Sequence, residues 1–379
     1  MAEPLKHLLN SAVPPHIAAM LHAAWSGFDR AAFLADIAPG YEALELMQRG
    51  RRIADAMHRR LPAAYPKAVA ILVASMGPAM GLDAAGEPVA SGSGHSAFVY
   101  LPHSLFIAGH GLAHFEASMH AQHALTQRFT AEFSIRPYLE HHAQATLNRL
   151  MAWTDDPSAH VRRLASEGSR PRLPWAPRLR PFMQDPRPLL PLLERLKDDP
   201  SSYVRRSVAN HLNDIGKDHP GILTGIARQW LVDAPEPRQR LVRHALRFAV
   251  KRGDADALAA LGMGHAVALD VRQVAITPAQ PRIGTAVTIA FDLHNPKAAT
   301  QQVLADLRVH YVKAGGGTGA KVFKLKTVAL PGGSTHRLSK RLSLAQMTTR
   351  VHYPGAHRLE LMLNGQAHAL GQFDLRPEL

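Results

Sequence analysis

Nearly the same phrase occurs twice in this sequence, 43 residues apart. "DDPSAHVRRLASEG" begins at Asp155 and "DDPSSYVRRSVANHL" begins at Asp198, and a weaker third copy, "DAPEPRQRLVRHALRFAV", places Arg243 38 residues after Arg205. An Asp-Pro pair is typical of a helix start, because proline fits the first turn and an acidic side chain suits the helix dipole. A phrase that returns about every 40 residues predicts stacked pairs of helices of the HEAT type.

The spacing of the apolar residues changes once along the chain. It is helical up to Gly262-Met263-Gly264, and beyond this point six or seven short alternating runs follow, with Asn364-Gly365 as a hairpin turn. The fold class is therefore expected to be α then β: a HEAT-like helical-repeat solenoid in residues 1–265, followed by an immunoglobulin-like β-sandwich in residues 266–379. The Gly- and Ser-rich stretch 81–98 is expected to be a connecting loop.

The positive charge is concentrated in two stretches. Of the net charge of +14, residues 1–150 contribute nothing, with 11 basic and 11 acidic side chains. Residues 151–252 carry 19 basic against 11 acidic side chains, and residues 268–379 carry 14 against 6. This distribution is typical of a protein that binds a polyanion such as nucleic acid, although a uniformly solvated basic surface gives the same count.

Several classes of protein are disfavoured by composition. No run of 18 apolar residues predicts a membrane helix, and the N-terminus lacks the pattern of a signal peptide. The absence of cysteine excludes disulfides, thiolate catalysis and cysteine metal sites. His110 and His114 are four residues apart, but neither an H-E-x-x-H motif nor a third ligand accompanies them. We expect a cytoplasmic monomer without metal or cofactor.

Arginines and carboxylates alternate on the repeated helices. Arg163 lies one turn before Glu167, and Arg206 lies one turn before Asn210, which is the repeat equivalent of Glu167. The pattern suits a phosphate-binding surface that contains a negative spot, or simply salt bridges on a solvated face. The residues expected to contact DNA in the helical part are Arg163, Arg170, Arg172, Arg205, Arg206 and Asn210.

Two further segments carry candidate functional residues. "SEGSRPRLPWAPRLRPF" (166–182) is too rich in proline for an ordinary helix, so Trp175 either offers an aromatic face to a base or cation, or packs in the core. "RFTAEFSIRPYLEHH" (128–142) is expected to place Glu132 on an apolar helix as a candidate catalytic carboxylate, or as the salt-bridge partner of Arg136.

The phrases "AEFSIRPYL", "VRRLASEGSRPRLPW" and "YVRRSVANHLNDIGKDHP" strongly resemble the DNA alkylation repair glycosylases of the AlkC/AlkD superfamily. The AlkC branch, some of whose members carry an immunoglobulin-like C-terminal domain, fits best. The resemblance implies hydrolysis of the N-glycosidic bond of cationic alkylated bases in double-stranded DNA, chiefly 3-methyladenine and 3-methylcytosine. Members of the AlkD branch surround the damaged base with tryptophans. At the position of one of these tryptophans this chain has Asn210, so the resemblance does not imply the same aromatic site here.

With that resemblance, the candidate residues acquire roles. Carboxylates would stabilise the oxocarbenium-like sugar and position water, and a tryptophan would attract a cationic base. The catalytic candidates are Glu132, Glu167, Asp214 and Trp175. The alternative is a non-catalytic HEAT-repeat scaffold that binds DNA or an acidic protein, which explains the repeat and the charge but not carboxylates among DNA-facing arginines.

A basic hairpin stands out in the C-terminal part. "YVKAGGGTGAKVFKLK" concentrates lysines around a glycine-rich tip, and Lys313, Lys321 and Lys324 are expected to contact DNA phosphates as part of a clamp. The alternative is a solubilising domain whose lysines face water.

Overall fold

The computed structural model describes residues 4–83, 87, 89, 97–263, 267–347 and 350–378. The α-helices in these ranges are α1 (Val13–Ala24), α2 (Arg30–Ile37), α3 (Leu46–Arg60), α4 (Tyr65–Ala74), α5 (Leu101–His110), α6 (Phe115–Thr126), α7 (Arg136–His141), α8 (Ala143–Ala152), α9 (Ala159–Gly168), α10 (Arg180–Gln184), α11 (Leu190–Leu196), α12 (Ser202–Asp218), α13 (Pro220–Leu231), α14 (Glu236–Ala245), α15 (Arg247–Arg252) and α16 (Ala255–Ala260). The strands are β1 (Asp270–Thr277), β2 (Ala286–His294), β3 (Gln301–Val312), β4 (Thr318–Leu330), β5 (Thr335–Ser343), β6 (Gly355–Leu363) and β7 (Gln366–Leu375). This order confirms the expected fold class, helices followed by an immunoglobulin-like sandwich. Within the described ranges, no helix is both long and apolar enough to cross a bilayer.

Two expectations fall on residues that are not described. Most of the expected loop at 81–98 lies outside the described residues, and so does the expected domain boundary at 265–266. The chain divides into two compact units, one formed by Met1–His219 with Asp233–Ala245 and the other by Pro220–Val232 with Leu246–Leu379. The second unit therefore contains α13, α15 and α16 in addition to the strands.

The repeated phrase builds the same helix start twice. The side chain of Asp156 accepts a hydrogen bond from the backbone N–H of Ser158 at 2.8 Å, and Asp199 does the same for Ser201 at 2.8 Å. Each serine is the extended residue immediately before the helix, α9 or α12. The second helices of successive pairs then pack side by side, with α12 lying between α9 and α14.

The first arginine of each repeated Arg-Arg pair folds back onto its own helix start. Arg162 donates to the carbonyl oxygens of Asp156 and Pro157, at 2.9 and 3.0 Å, and Arg205 repeats both contacts one repeat later. Arg162 also binds the carboxylate of Asp199, with its Nε 2.6 Å from Oδ2, and so links one repeat to the next. Nη1 of Arg205 thus donates to backbone carbonyl oxygens. The expected contact of Arg205 with a DNA phosphate stays a prediction, and it would use the other nitrogens of the guanidinium.

The sandwich is built from two antiparallel sheets, ordered β1-β2-β5 and β4-β3-β6-β7. Alternate residues of β2 are buried between them, and this inward-facing set is Val287, Ile289, Phe291 and Leu293. Asn364 and Gly365 both have positive φ, 45° and 82°, and form the expected tight turn between β6 and β7. Gly253, at φ 76°, packs on this turn, where a Cβ would lie 2.9 Å from the Gly365 carbonyl oxygen. The glycine-rich stretch at 313–321 joins β3 to β4, also as expected.

Two buried histidines make the stability of the fold depend on pH. His103 and His211 are fully buried, and burial lowers the pKa of each to about 3. His211 stays neutral, and its Nδ1 lies 2.9 Å from the Ser166 carbonyl oxygen, to which it donates. In the unfolded chain both imidazoles take up a proton near pH 6.5, whereas in the folded protein they stay neutral down to about pH 3. Their full contribution to the free energy of unfolding is therefore present above pH 6.5 and is lost as the pH falls below it.

We expect the free energy of unfolding to fall below pH 6.5 by roughly 1.4 kcal/mol per pH unit for each buried histidine. His211→Gln should remove one such contribution, so its urea-unfolding free energy should fall less steeply between pH 6.5 and 4.5 than that of the wild type. The exposed His141→Gln serves as the control. Equal slopes for His211→Gln and the wild type would contradict the assignment.

Candidate active site

A chain of alternating charges connects α9, α12 and the turn before α7. Arg163 Nη1 lies 2.7 Å from Glu132 Oε2, and Arg163 Nη2 lies 3.6 Å from Glu167 Oε1. Arg170 Nη1 lies 2.5 Å from the same Glu167 oxygen. Its Nε donates to Asp214 Oδ2 at 2.8 Å, and its Nη2 also lies 2.8 Å from that oxygen. Five of the residues singled out from the sequence therefore form one carboxylate cluster, which runs Glu132, Arg163, Glu167, Arg170, Asp214.

The carboxylate cluster is buried to different depths along its length. The side chain of Asp214 is 1% exposed, that of Glu167 is 8% and that of Glu132 is 14%. Because Arg163 is itself only 17% exposed, its pairing with Glu167 is not a salt bridge on a solvated face. Lys217 adds a further ammonium 2.9 Å from Asp214. The Glu132 end is therefore the most accessible part of the cluster.

The arginines keep Glu167 ionised. Burial alone would raise the pKa of Glu167, but the charges of Arg163 and Arg170 outweigh it and hold this pKa below its usual value. The Ser207 hydroxyl, which donates to Glu167 Oε2 at 2.6 Å, acts in the same direction. Burial likewise opposes the charge of Arg163, but the neighbouring carboxylates Glu132 and Glu167 raise the pKa of its guanidinium overall. Glu167 is therefore an anion at neutral pH, with its orientation fixed by its donors.

The surroundings of Glu132 differ from the sequence-based expectation. The expected helical position is wrong, because Glu132 lies in a turn between α6 and α7, and α7 begins only at Arg136. In this turn Thr130 donates to Glu132 Oε2 at 2.9 Å. Arg136 does not serve as the partner of Glu132; it donates to the backbone carbonyls of Arg170 at 2.9 Å and of Pro177 at 2.9 and 2.5 Å. Its role is to hold the proline-rich loop after α9.

Trp175 lies at the tip of that loop. Its side chain is 65% exposed, so the alternative of a core tryptophan is wrong. Its φ of 64° is a left-handed conformation that is unfavourable for a large side chain and is concentrated at functional sites. The ring borders a cavity of about 470 Å³ whose other lining residues include His110, Phe133, Arg136 and Glu140. None of the three carboxylates of the cluster lines this cavity, so the structure does not bring Trp175 into contact with them.

The second arginine of each repeated pair binds a glutamate from an earlier part of the chain. As Arg163 binds Glu132, Arg206 binds Glu87, with its Nη1 and Nη2 3.0 and 2.5 Å from the two carboxylate oxygens. Both arginines contact the ring of Tyr203, whose centroid lies 5.2 Å from Cζ of Arg163 and 6.0 Å from that of Arg206. The sequence did not point to Tyr203; its only signal is its place in the repeated phrase, 43 residues after His160.

A second cleft, of about 310 Å³, opens beside Arg206. It is lined by Glu87, Ser202, Arg205, Arg206, Pro237, Arg240, Leu241 and His244, and is called the arginine cleft below. Asn210 lies next to it, with its Oδ1 3.0 Å from Nε2 of His244. The repeat thus places Arg205, Arg206 and Asn210 on or beside one surface.

Arg172 and three lysines are the remaining candidates for DNA contact. Arg172 binds Asp218, with its Nε and Nη2 2.8 and 2.6 Å from the two carboxylate oxygens. Lys313, Lys321 and Lys324 are exposed. Lys321 and Lys324 are three residues apart on β4, so the alternation of an extended strand places them on opposite faces. Their contacts with phosphate stay predictions.

The closely spaced histidines make other contacts. His110 stacks on His58 with ring centroids 3.8 Å apart, and His114 stacks on Tyr65 at 5.1 Å. His123 Nε2 lies 2.7 Å from Asp156 Oδ2. In the part of the chain that the structure describes, no three His, Asp or Glu side chains gather in an arrangement that could hold a metal ion.

Three similarities place this chain among known proteins. Residues 270–377 match the family described as "Uncharacterised protein YhaZ, C-terminal Ig-like domain". Over 363 residues the chain is 33% identical to uncharacterized protein YhaZ of Bacillus subtilis (strain 168), a match that covers 96% of each chain. Among solved structures it is similar to Pseudomonas fluorescens alkylpurine DNA glycosylase AlkC bound to DNA containing an abasic site analog, with a TM-score of 0.90, 37% identity, and coverage of 99% of this chain and 100% of that one. The chain therefore belongs to the family of YhaZ and to the AlkC branch of the AlkC/AlkD superfamily, and it carries the C-terminal immunoglobulin-like domain that some members of this branch have.

Proposed function

We propose that this chain is a DNA glycosylase that hydrolyses the N-glycosidic bond of cationic alkylated bases, with 3-methyladenine and 3-methylcytosine as its substrates. The observation that carries this proposal is the cluster of carboxylates held by Arg163 and Arg170. The full-length similarity to AlkC, which is described as an alkylpurine DNA glycosylase, supports the same reaction.

The chemistry needs an anion more than it needs an acid. A cationic base leaves with the electron pair of the C1′–N bond and becomes neutral, so it requires no proton from the protein. The deoxyribose left behind resembles an oxocarbenium ion, which fixed carboxylates stabilise electrostatically. Water then attacks C1′ and loses a proton to a nearby base. We assign contact with the sugar and the attacking water to Glu132, the most accessible carboxylate of the cluster.

The deeper carboxylates support that contact in different ways. Glu167 shares Arg163 with Glu132 and adds a second negative charge near the sugar. Asp214 is only 1% exposed and binds Arg170 and Lys217, so we propose that it acts through the arginine that orients Glu167. Arginines are suited to this task because their planar donors fix a carboxylate in two directions.

A non-catalytic DNA-binding scaffold is the alternative. The three carboxylates of the cluster lower the affinity of the protein for DNA because they repel phosphates. Burying them with arginines also costs desolvation free energy, which a surface that only binds DNA has no reason to spend. For the β-sandwich, we propose that Lys313, Lys321 and Lys324 add phosphate contacts, which rests on the net charge of this part and the exposure of these lysines.

The test of the proposed function is the release of free bases from methylated duplex DNA. We expect 3-methyladenine and 3-methylcytosine to be released well above the spontaneous rate, leaving abasic sites in intact strands. DNA binding without release of either base would favour the scaffold.

Trp175 should matter most for charged substrates. An exposed ring attracts a cation through its π face by about 0.5–2 kcal/mol, so Trp175→Ala should slow the release of 3-methyladenine about two- to thirtyfold. Release of a neutral base such as hypoxanthine should change less. Trp175→Phe, which keeps an aromatic face, should retain more of the rate. Equal losses for the cationic and neutral bases would contradict a cation–π role.

A further inference from the structure

We propose that the arginine cleft binds a phosphate of the DNA backbone and that the carboxylate of Glu87 occupies this place in the DNA-free protein. The inference rests on the proposed function in so far as DNA is the ligand. Glu87 would thus compete with the DNA phosphate for the same arginine. Ser202, Arg240 and His244 would join Arg205 and Arg206 around the phosphate.

Glu87 makes the contacts that a phosphate would make. Its two oxygens accept from the two terminal nitrogens of Arg206, and Oε1 also accepts from the Ser202 hydroxyl at 3.1 Å. A guanidinium fork with a hydroxyl beside it is an arrangement that binds carboxylate and phosphate oxygens alike. Arg205, Arg240 and His244 line the same cleft, and Arg240 is itself paired with Glu236, its Nη2 2.5 Å from Oε1. Among the residues that the structure describes, the guanidinium groups of Arg205, Arg206 and Arg240 therefore face only two carboxylates, which leaves the cleft basic.

The position of the cleft fits a DNA strand that reaches the carboxylate cluster. Arg163 of the cluster and Arg206 of the cleft share a neighbour, Tyr203, whose ring centroid lies 5.2 and 6.0 Å from the two guanidinium carbons. Arg163 and Arg206 are also equivalent positions of the repeat, so neighbouring units of one surface present them in the same way. A phosphate on Arg206 would therefore be close to a sugar placed at Glu132.

The two equivalent ion pairs differ in how easily they exchange. The side chains of the Arg163–Glu132 pair are 17% and 14% exposed, whereas those of the Arg206–Glu87 pair are 51% and 33% exposed. An ion pair that is open to solvent contributes little stability, so a DNA phosphate can replace Glu87 at small cost. The buried pair is a fixed part of the site, and the exposed pair is an exchangeable one. Glu87 accordingly lowers the affinity for DNA without blocking it.

The experiment measures binding of the full chain to an undamaged duplex by fluorescence anisotropy across a salt series. Glu87→Gln should bind about two- to fivefold more tightly than the wild type at low salt, the range expected for one exposed ion pair. Because Arg206 then needs no exchange, the slope of log affinity against log salt should steepen by up to about 0.9. Glu116→Gln is the control, since it removes the same charge from an exposed glutamate that also binds an arginine, Arg149, at 2.7 Å.

Two further variants complete the test. Arg206→Gln should weaken DNA binding and flatten the slope of log affinity against log salt. The double variant Arg206→Gln/Glu87→Gln should bind no more tightly than Arg206→Gln alone, because the arginine for which Glu87 competes is then absent. If Glu87→Gln binds no better than Glu116→Gln at every salt concentration, Glu87 does not compete with the phosphate. If Arg206→Gln binds as tightly as the wild type, the arginine cleft is not a phosphate site. Undamaged DNA makes these readouts independent of base release, so a chain that fails to excise bases can still pass this test. Thermal melting of each variant establishes that it is folded.

Discussion

Arg170→Met should lower the free energy of unfolding by about 3–5 kcal/mol, because it leaves buried carboxylates without their partner. Arg170 lies between Glu167 and Asp214 and is 7% exposed, so water cannot replace the lost guanidinium. The same change should abolish measurable base release, since the orientation and ionisation of Glu167 depend on this arginine. Urea unfolding at pH 7 and single-turnover excision measure the two effects.

Arg172→Met provides the matched comparison. Arg172 also binds one aspartate through two nitrogens, but the pair, Arg172 with Asp218, is 23% and 20% exposed. Its loss should therefore cost about 1 kcal/mol or less. Should Arg170→Met prove as stable as Arg172→Met and lose only affinity for DNA, Arg170 would be a phosphate contact, as first expected from the sequence.

Glu132→Gln should reduce single-turnover excision about 10²- to 10³-fold, the scale of one lost electrostatic contact in a transition state. The amide keeps the size of the side chain but not the charge that faces the developing cation. Affinity for undamaged DNA should be retained or slightly increased, because one negative charge has been removed. Glu116→Gln, on the exposed side of α6, should excise at the wild-type rate.

If Glu132→Gln and the wild type excise at the same rate, the carboxylate that acts on the sugar lies elsewhere. The same result for both Glu167→Gln and Asp214→Asn would remove the carboxylate cluster from the reaction altogether. If Glu132→Gln fails to bind DNA, Glu132 instead supports the fold of its turn, where it accepts a hydrogen bond from Thr130. Thermal melting of this variant would then show a lowered melting temperature.

The parts of the structure that could be predicted from the sequence are those set by neighbouring residues. The Asp-Pro phrase predicted the starts of α9 and α12, which follow local turns closed by Asp156 and Asp199 over two residues. The expected place of the proline is wrong, because Pro157 and Pro200 lie before the helices and not in their first turns. Asn364-Gly365 predicted a hairpin because both residues tolerate positive φ. The contact of Arg163 with Glu167 follows from their place one turn apart on a helix.

The parts that could not be predicted depend on contacts between distant residues. The partner of Glu132 is Arg163, 31 residues away, and not the nearer Arg136. The two arginines of each repeated pair look alike in the sequence, yet one binds carbonyls of its own helix start and the other binds a glutamate from an earlier segment. Helical periodicity gives the face of a side chain but not the group that meets it there. The resemblance to a family selected the carboxylates, and the packing of α9 against α12 explains how they meet.

The most direct test of the account compares two abasic analogues in otherwise identical duplexes. One carries a cationic pyrrolidine in place of the deoxyribose and resembles the charged sugar, and the other carries a neutral tetrahydrofuran. Because a site built for the transition state binds its charged mimic more tightly, the wild type should prefer the cationic analogue by about tenfold or more. Glu132→Gln should lose most of this preference, whereas Glu116→Gln should keep it. Equal affinity of the wild type for the two analogues would contradict the claim that the carboxylate cluster stabilises a positive sugar.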